Sequence, residues 1–225
     1  MWKELCKEII ACRACPRLVA WREYCGKHPR RAYQGQSYWA RPVTGFGDLE
    51  ARIMICGLAP AAHGGNRTGR IFTGDRSGDF LYRCLYQVGL ANQPISVNRE
   101  DGLEVSGCYI TAIVRCAPPH NRPSPEERDR CLPYLVRELR LLDKVRVIIC
   151  LGAFAWSGMI RVLRELGYFR RPAPPFGHGV EERIGPYSLL GSYHPSQQNT
   201  FTGKLTEAMF MKILRRALRL ANVQM

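Results

Sequence analysis

The hydrophobic pattern divides the chain into short apolar runs separated by amphipathic segments. Four of these runs are continuously apolar or rich in β-branched residues, and they span residues 52–56, 108–114, 145–151 and 187–193. Uninterrupted apolar runs of this length are typical of parallel strands that are buried on both faces. Each of the four runs is therefore predicted to form a strand.

The segments between and after these runs carry apolar residues at spacings of three and four, which indicates helices. The predicted helices span residues 78–90, 124–142, 153–167 and 204–221. The second begins with Ser124, Pro125 and Glu127, which supply an N-cap, a proline at the first helical position and the glutamate of a capping box. Alternating strands and helices predict an α/β fold with a mostly parallel sheet covered on both faces.

No repeat, low-complexity tract or shift in composition marks a boundary between folding units. We therefore expect residues 1–225 to form a single domain. Within it, residues 1–47 are predicted to be an N-terminal arm packed on the α/β unit. The proline-rich residues 170–186 are predicted to form a surface loop.

The charge of the chain points to an acidic partner. The formal net charge is +14 and the isoelectric point is near 9.6. Most of the basic residues are arginine, which makes bidentate contacts to phosphate that lysine does not make. A solvated, stable surface is the alternative explanation, but a surplus of this size favours a nucleic-acid partner.

The sequence predicts a protein without a membrane segment. No apolar run approaches the length of a membrane span, and charged residues interrupt the apolar residues of the first fifteen positions. We therefore expect a soluble, cytoplasmic protein, and we expect it to be a monomer.

Two loops that leave predicted strands carry the polar residues that a site needs. Ligands of open parallel sheets bind at the carboxyl ends of the strands, so these loops are expected to meet at one edge. The first, residues 57–75, is rich in glycine but lacks the lysine of a P-loop and the GxGxxG spacing of a dinucleotide site. The second begins at residue 194 with the sequence HPSQQNTFTG.

The ten cysteines divide into two groups. Four lie in strand-like or helical apolar runs and are predicted to be core residues: Cys56, Cys84, Cys108 and Cys150. Cys12 and Cys15 form a CxxC pair, and Cys116 and Cys131 flank a proline-rich stretch, so a four-thiolate site for zinc or a [4Fe–4S] cluster is plausible. Spacing does not choose between the metals, and Cys6 and Cys25 remain rival ligands.

These motifs together resemble family 5 of the uracil-DNA glycosylase superfamily, whose members contain an iron–sulfur cluster. The resemblance covers essentially the whole chain and is carried by residues 57–75, residues 194–206 and the segments around the paired cysteines. It implies a three-layer α/β/α sandwich around a four-stranded, mostly parallel sheet, with the N-terminal arm tied down by a [4Fe–4S] cluster. The cluster ligands that it implies are Cys12, Cys15, Cys116 and Cys131.

The resemblance implies a DNA repair hydrolase that flips a deaminated base out of DNA and hydrolyses its N-glycosidic bond, leaving an abasic site. Uracil is the implied substrate. Hypoxanthine and xanthine are expected as well, because Ala59 and Ala112 stand near positions where relatives carry ionisable or polar residues, and apolar walls discriminate less. Double-stranded DNA with deaminated bases is the expected partner, with single-stranded DNA as a second candidate. The alternative is a metal-stapled nucleic-acid-binding protein without catalysis.

The site residues follow from the same motifs. The catalytic candidates are Asp75, His194 and Asn121, which would activate water, stabilise the leaving base and hold water or substrate. Asp75 also stands where it could simply cap the helix that begins near residue 77, and Phe72 could be either a stacking partner of the base or a core residue. The candidates for substrate binding are Gly57, Leu58, Ala59, His63, Phe72, Ser196, Gln198 and Asn199.

Overall fold

A computed structural model describes residues 1–168 and 172–222 of the chain. Six strands form one sheet: β1 Phe46–Gly47, β2 Ile53–Gly57, β3 Cys108–Ala112, β4 Val147–Leu151, β5 Glu181–Ile184 and β6 Tyr187–Ser192. Their order across the sheet is β1-β3-β2-β4-β6-β5. The four central strands are parallel, whereas β1 and β5 pair antiparallel at the two edges.

Eight α-helices surround the sheet in the described ranges. They are α1 Trp2–Ala11, α2 Pro16–Lys27, α3 Gly65–Thr68, α4 Arg76–Gln87, α5 Pro125–Leu141, α6 Ala153–Glu165, α7 Gln197–Phe201 and α8 Glu207–Leu220. Two 3₁₀ turns lie at Arg31–Tyr33 and Pro119–Asn121. The described helices include none that is long and apolar enough to cross a membrane.

The helices cover the two faces of the sheet with separate cores. Alternate residues of β2 enter opposite cores, Ile53 and Ile55 on one face and Met54 and Cys56 on the other. Helices α4 and α8 pack on the first face, and α5 and α6 pack on the second. The result is a three-layer arrangement in which the central strands are buried along their whole length.

The sequence prediction of a four-stranded sheet was wrong in its count. All four predicted runs form the parallel strands, but the sheet has two further edge strands. Strand β1 has only two residues, and β5 buries only Ile184 of its four. Neither length nor apolarity marks such edge strands in a sequence. Strand β5 also lies inside the predicted proline-rich loop, whose residues 170 and 171 fall outside the described residues.

Local signals in the sequence explain where the helices begin. The capping box of Ser124 and Glu127 is present at the start of α5, as predicted. The side chains of Asp75, Ser196 and Thr206 cap α4, α7 and α8 in the same way, each accepting a backbone N–H of the first turn. Asp75, Ser124 and Ser196 stand at the ends of the loops that leave β2, β3 and β6. These capping contacts therefore also fix the positions of the three loops.

The N-terminal segment packs on the second helical layer through α1 and α2. Helix α1 contacts α5, and Arg137 of α5 pairs with Glu8 of α1. Arg17 of α2 donates two hydrogen bonds to the carboxylate of Glu127 at the start of α5. The four cysteines predicted for the core are buried, as the apolar runs around them indicated.

Candidate active site

A large open cavity lies at the carboxyl edge of the parallel strands, where the loops after β2, β3 and β6 meet. Its volume is about 850 Å³. The predicted site residues that line it are Leu58, Ala59, His63, Phe72, Asp75, Asn121, His194, Ser196 and Gln198. Three separate loops therefore bring one set of polar side chains together, as the rule for open parallel sheets requires.

Two predicted binding residues are not part of the cavity lining. Gly57 lies beneath it, and a Cβ atom at this position would approach Cζ of Phe72 to 2.6 Å. Asn199 lies behind it, where its side-chain amide donates to the carbonyl oxygen of His194 at 2.9 Å. Both residues support the walls of the cavity, Gly57 by making room for a ring and Asn199 by holding the histidine loop.

Phe72 forms the floor of the cavity next to His194. The two ring centroids are 5.9 Å apart, with the planes tilted by 31°. Only 6% of the surface of Phe72 is exposed, so the ring belongs to the core and to the cavity lining at once. Its φ of 51° is strained for a bulky residue, and strain of this kind clusters at functional sites.

Asp75 is held in the cavity wall from two sides. Its Oδ1 accepts the backbone N–H of Gly78 at 3.0 Å, which makes it the N-cap of α4. Its Oδ2 packs against Gly64, where a Cβ atom would collide with it. Burial raises the pKa of the Asp75 carboxyl, although the backbone hydrogen bonds of Gly78 and Ser77 oppose the rise. The carboxyl group therefore both caps the helix and faces the cavity.

His194 is a neutral imidazole at physiological pH. Burial lowers its pKa to about 4, because a positive charge would lose its hydration there. A neutral imidazole has one N–H donor and one ring nitrogen acceptor, so His194 can donate a hydrogen bond to a carbonyl oxygen without being charged.

Asn121 reaches the cavity from the loop that follows β3. This loop contains two consecutive residues in the left-handed region, His120 at φ 54° and Asn121 at φ 56°. Asn121 is exposed and lines the cavity together with residues of the glycine-rich loop. Asparagine tolerates this conformation better than most residues do, which is consistent with its position in so tight a turn.

A second group of cavity residues was not predicted from the sequence. They come from the segment before β1 and from the first turn of α4: Arg30, Tyr33, Arg76, Ser77 and Asp79. Arg67 ties the first segment to the glycine-rich loop, because its guanidinium lies 4.1 Å from the centroid of Tyr33 and donates to the carbonyls of His63 and Gly74. In the sequence, the basic stretch HPRRAY, residues 28–33, was the one signal that could have pointed to Arg30 and Tyr33.

Contacts with two tyrosines restrict the rotation of His63 at the rim of the cavity. Its Nδ1 is hydrogen-bonded to the hydroxyl of Tyr38 at 2.9 Å, and its ring stacks on Tyr33. Burial lowers the pKa of His63, and the positive charges of Arg30 and Arg67 lower it further. His63 is therefore a neutral, fixed side chain suited to contacting a polar substrate edge.

The four cysteines predicted as ligands share a second, smaller cavity between α2, α5 and the end of β3. Cys12, Cys15, Cys116 and Cys131 all line it. Within residues 1–168 and 172–222, however, no group of three or more histidine, cysteine, aspartate or glutamate side chains is arranged to hold a metal ion. The structure thus brings the four predicted ligands to one cavity.

The surroundings of this cavity suit cysteine side chains in the thiolate form. Arg22 is buried, donates to Sγ of Cys116 at 2.9 Å, and keeps its Nε without a hydrogen-bond partner among the described residues. The backbone N–H of Arg115 donates to Sγ of Cys131 at 3.3 Å. Burial raises the pKa of Cys116 to about 11 and of Cys131 to about 12, so these thiols are neutral unless a bound cation deprotonates them. A buried guanidinium needs an anionic partner, which thiolates on a bound metal or cluster would supply.

Comparison with known proteins agrees with this geometry. Residues 44–218 match the family model described as the uracil DNA glycosylase superfamily. The chain is 53% identical over 223 residues to a type-5 uracil-DNA glycosylase of Mycobacterium bovis, a match that covers 98% of this chain and 82% of the relative. It is 52% identical to the type-5 enzyme of Thermus thermophilus, with 96% of each chain covered, and 44% identical to that of Pyrobaculum aerophilum, with 96% and 92% covered. Because the family model spans the whole sheet and these relatives match nearly the full chain at 44–53% identity, the chain belongs to the uracil DNA glycosylase superfamily.

Proposed function

We propose that this protein is a DNA repair hydrolase that removes uracil from DNA by hydrolysing the N-glycosidic bond. The single observation that carries the proposal is the convergence of Asp75, His194 and Asn121 on one cavity beside the ring of Phe72. The high identity to enzymes named type-5 uracil-DNA glycosylases supports the same reaction. In this proposal residues 1–225 work as one domain, and the substrate is double-stranded DNA in which the damaged nucleotide is flipped out of the stack.

The reaction needs negative charge near the sugar and a hydrogen-bond donor near the base. When the bond between C1′ and the base nitrogen breaks, its electron pair leaves with the base and C1′ gains positive charge. Water then adds to C1′ through its oxygen and gives up a proton. The proton released by the water balances the one that the departing base anion takes up, so the products are an abasic sugar and the neutral free base.

Asp75 is the group proposed to meet the positive charge and to take the proton of the water. The N–H of Gly78 and the close packing of Gly64 hold its carboxylate in one orientation. A fixed charge of this kind stabilises a developing opposite charge without the cost of reorganisation. The capping contact therefore serves the chemistry, since it restricts the rotation of the carboxylate.

His194 is proposed to donate a hydrogen bond to a carbonyl oxygen of the leaving base, and Asn121 to hold the water or the base edge. A neutral imidazole matches a leaving anion of modest basicity, because it stabilises the anion without protonating it fully. Phe72 is proposed to stack on the flipped ring. Leu58, Ala59 and His63 would contact the edge of the base, while Ser196 and Gln198 would contact the DNA backbone as neutral donors.

The cavity is proposed to accept hypoxanthine and xanthine as well as uracil. Ala59 lines it and Ala112 is buried just below it at the end of β3, so neither position presents a polar side chain to a base. A wall without polar groups loses little when a larger base enters, because no hydrogen bond is left unsatisfied.

A [4Fe–4S] cluster is proposed at the second cavity, held by Cys12, Cys15, Cys116 and Cys131. Such a cluster would supply a rigid cross-link rather than chemistry, since hydrolysis transfers no electron. Cys15 is the residue directly before α2, and Cys116 precedes the loop of Asn121, so the link would join the N-terminal arm to a cavity wall. A purified, anaerobically prepared protein should be brown and contain about four irons per chain. A colourless protein with one zinc would contradict the cluster but not the glycosylase reaction.

The experiment that tests the proposed function uses duplex oligonucleotides with one uracil, hypoxanthine, xanthine or unmodified base. Single-turnover incubation followed by alkaline cleavage measures the abasic product. Cleavage at uracil is expected to be fast, cleavage at hypoxanthine and xanthine slower but measurable, and unmodified DNA should stay intact. Binding without any cleavage would support the alternative, a metal-stapled nucleic-acid-binding protein without catalysis.

A further inference from the structure

Four aromatic rings form a continuous, partly exposed stack along the N-terminal arm. Trp21 and Tyr24 of α2 lie 5.8 Å apart with an angle of 17° between their planes, and Tyr24 and His28 lie 4.2 Å apart at 24°. His120 extends the row on the other side, 6.5 Å from Trp21 at 25°. We call this row, His120–Trp21–Tyr24–His28, the aromatic ladder.

The ladder follows the rim of the candidate active site. His120 is the neighbour of Asn121, and Arg30 lies two residues after His28; both Asn121 and Arg30 line the main cavity. Arg17 of α2 donates to the carbonyl oxygen of Arg122 at 3.0 Å, which ties the loop of His120 to the helix. The two ends of the ladder are therefore each connected to the cavity wall.

Exposure and charge distinguish the ladder from core packing. Tyr24 exposes 52% of its surface, and His28 and His120 are also exposed. The exposed cations around it are Lys27, Arg30, Arg31 and Arg122. The acidic residue on the same helix, Glu23, is paired with Arg13 at 2.6 Å, so its charge is offset. The surface thus combines flat apolar rings with a net positive rim.

We propose that the aromatic ladder binds unpaired bases of single-stranded DNA next to the nucleotide held in the cavity. Bases of a duplex are stacked on each other, whereas unpaired bases have free faces that stack on aromatic rings. The inner rings of the ladder face each other, so the faces open to a base are the outer faces of the two end rings, His120 and His28, each of which has one ring neighbour in the row. The basic rim would contact the phosphates of the same strand. The proposal rests on the proposed function and extends it to single-stranded DNA, because it assigns a surface to the unpaired bases that flank the damaged one there.

The test compares binding of single-stranded and duplex DNA, both without damage, so that it does not depend on excision. Fluorescence anisotropy with a labelled oligonucleotide of about 12 nucleotides measures Kd for the wild type and for Tyr24→Ala, His28→Ala and Tyr24→Phe. His28→Ala removes an end ring, and Tyr24→Ala removes the ring on which His28 stacks. Each should therefore weaken single-strand binding by about 10-fold, the effect of losing one stacked base, and duplex binding by at most about 2-fold. Tyr24→Phe keeps the ring and should bind as the wild type does.

Tyr86→Ala is the matched control, because Tyr86 of α4 exposes 49% of its surface, close to the 52% of Tyr24. This control should not change either affinity. Wild-type affinity of both alanine variants for single strands would overturn the proposal, and so would equal losses on single-stranded and duplex DNA. A wild type that binds through the ladder but excises no uracil would contradict only the proposed function, which keeps the two failures apart.

Discussion

At the scale of single residues, the candidate site depends on side chains that have two tasks. Asp75 caps α4 and faces the cavity, and Phe72 belongs to the core and to the cavity floor. In both cases the structural contact fixes the orientation in which the chemical group is presented. A capping role therefore leaves Asp75 free for the catalytic role proposed for it, and a place in the core leaves Phe72 free for the proposed stacking on the base.

Replacing Asp75 by asparagine should slow excision by a factor on the order of 100 or more, because the amide keeps a capping oxygen but loses the negative charge. Single-turnover excision of uracil from a duplex measures the loss. Asp79→Asn is the control, since Asp79 lines the same cavity from the first turn of α4. Equal rates for the wild type and Asp75→Asn would remove Asp75 from the mechanism.

His194 should make the fold more sensitive to acid. Its pKa is about 4 in the folded protein and near 6.5 in an unfolded chain, so the unfolded state binds a proton first as the pH falls. Stability is therefore lost between about pH 6.5 and pH 4, and His194→Gln should lose less over that interval. Urea unfolding midpoints of the wild type and His194→Gln at neutral and acidic pH measure the loss of stability. An identical loss in the two proteins would contradict the role of His194.

At the scale of elements, the site depends on close contacts between the glycine-rich loop and the helix that follows it. Gly64 leaves room for the Asp75 carboxylate, and Gly57 leaves room for the Phe72 ring. The glycines at these two positions serve side-chain packing, not a phosphate chain. This explains why the loop lacks the lysine and the spacing of nucleotide-binding loops while remaining rich in glycine.

Gly64→Ala should displace the carboxylate and reduce excision by a factor on the order of 10 to 100, since misplacement by about 1 Å is costly in catalysis. The substitution acts through Asp75, so adding it to Asp75→Asn should cause little further loss. A thermal melt of each variant shows whether the fold is retained. Losses that multiply in the double variant would show that Gly64 acts independently of Asp75.

At the scale of the whole molecule, the net charge of +14 bears on which partner the cavity can receive. Arg30 and Arg76 stand at the cavity itself. The ionic contacts inside the protein, such as Arg115 with Glu138 and Arg70 with Asp101, each join one cation to one anion and leave this surplus of positive charge unchanged. The remaining positive charge is available to a polyanion.

Affinity for undamaged duplex DNA should fall steeply with salt, by about 1000-fold or more between 50 and 200 mM if six or more phosphates are contacted. Fluorescence anisotropy at several salt concentrations gives the slope. Arg30→Gln should reduce the slope by about one unit if it contacts one phosphate. A Kd that does not depend on salt would contradict the nucleic-acid partner.

Much of this architecture was determined locally by the sequence. Apolar runs predicted the four parallel strands, and Ser124 with Glu127 predicted the start of α5, because buried strands and helix caps depend on residues close together in the chain. The loops after β2 and β6 were predicted to meet because parallel strands end at the same edge. The family resemblance was carried by the same loops.

Only the tertiary structure decided which side chains face each other. It added two edge strands whose residues are too few or too exposed to leave an apolar signal. Gly57 and Asn199, predicted to bind substrate, instead support the cavity wall. Arg30 and Tyr33 of the distant N-terminal segment line the cavity, which was not predicted. The tertiary structure also aligned His120 with α2 in the aromatic ladder. Contacts between residues far apart in the chain depend on how the elements pack, and no local pattern records them.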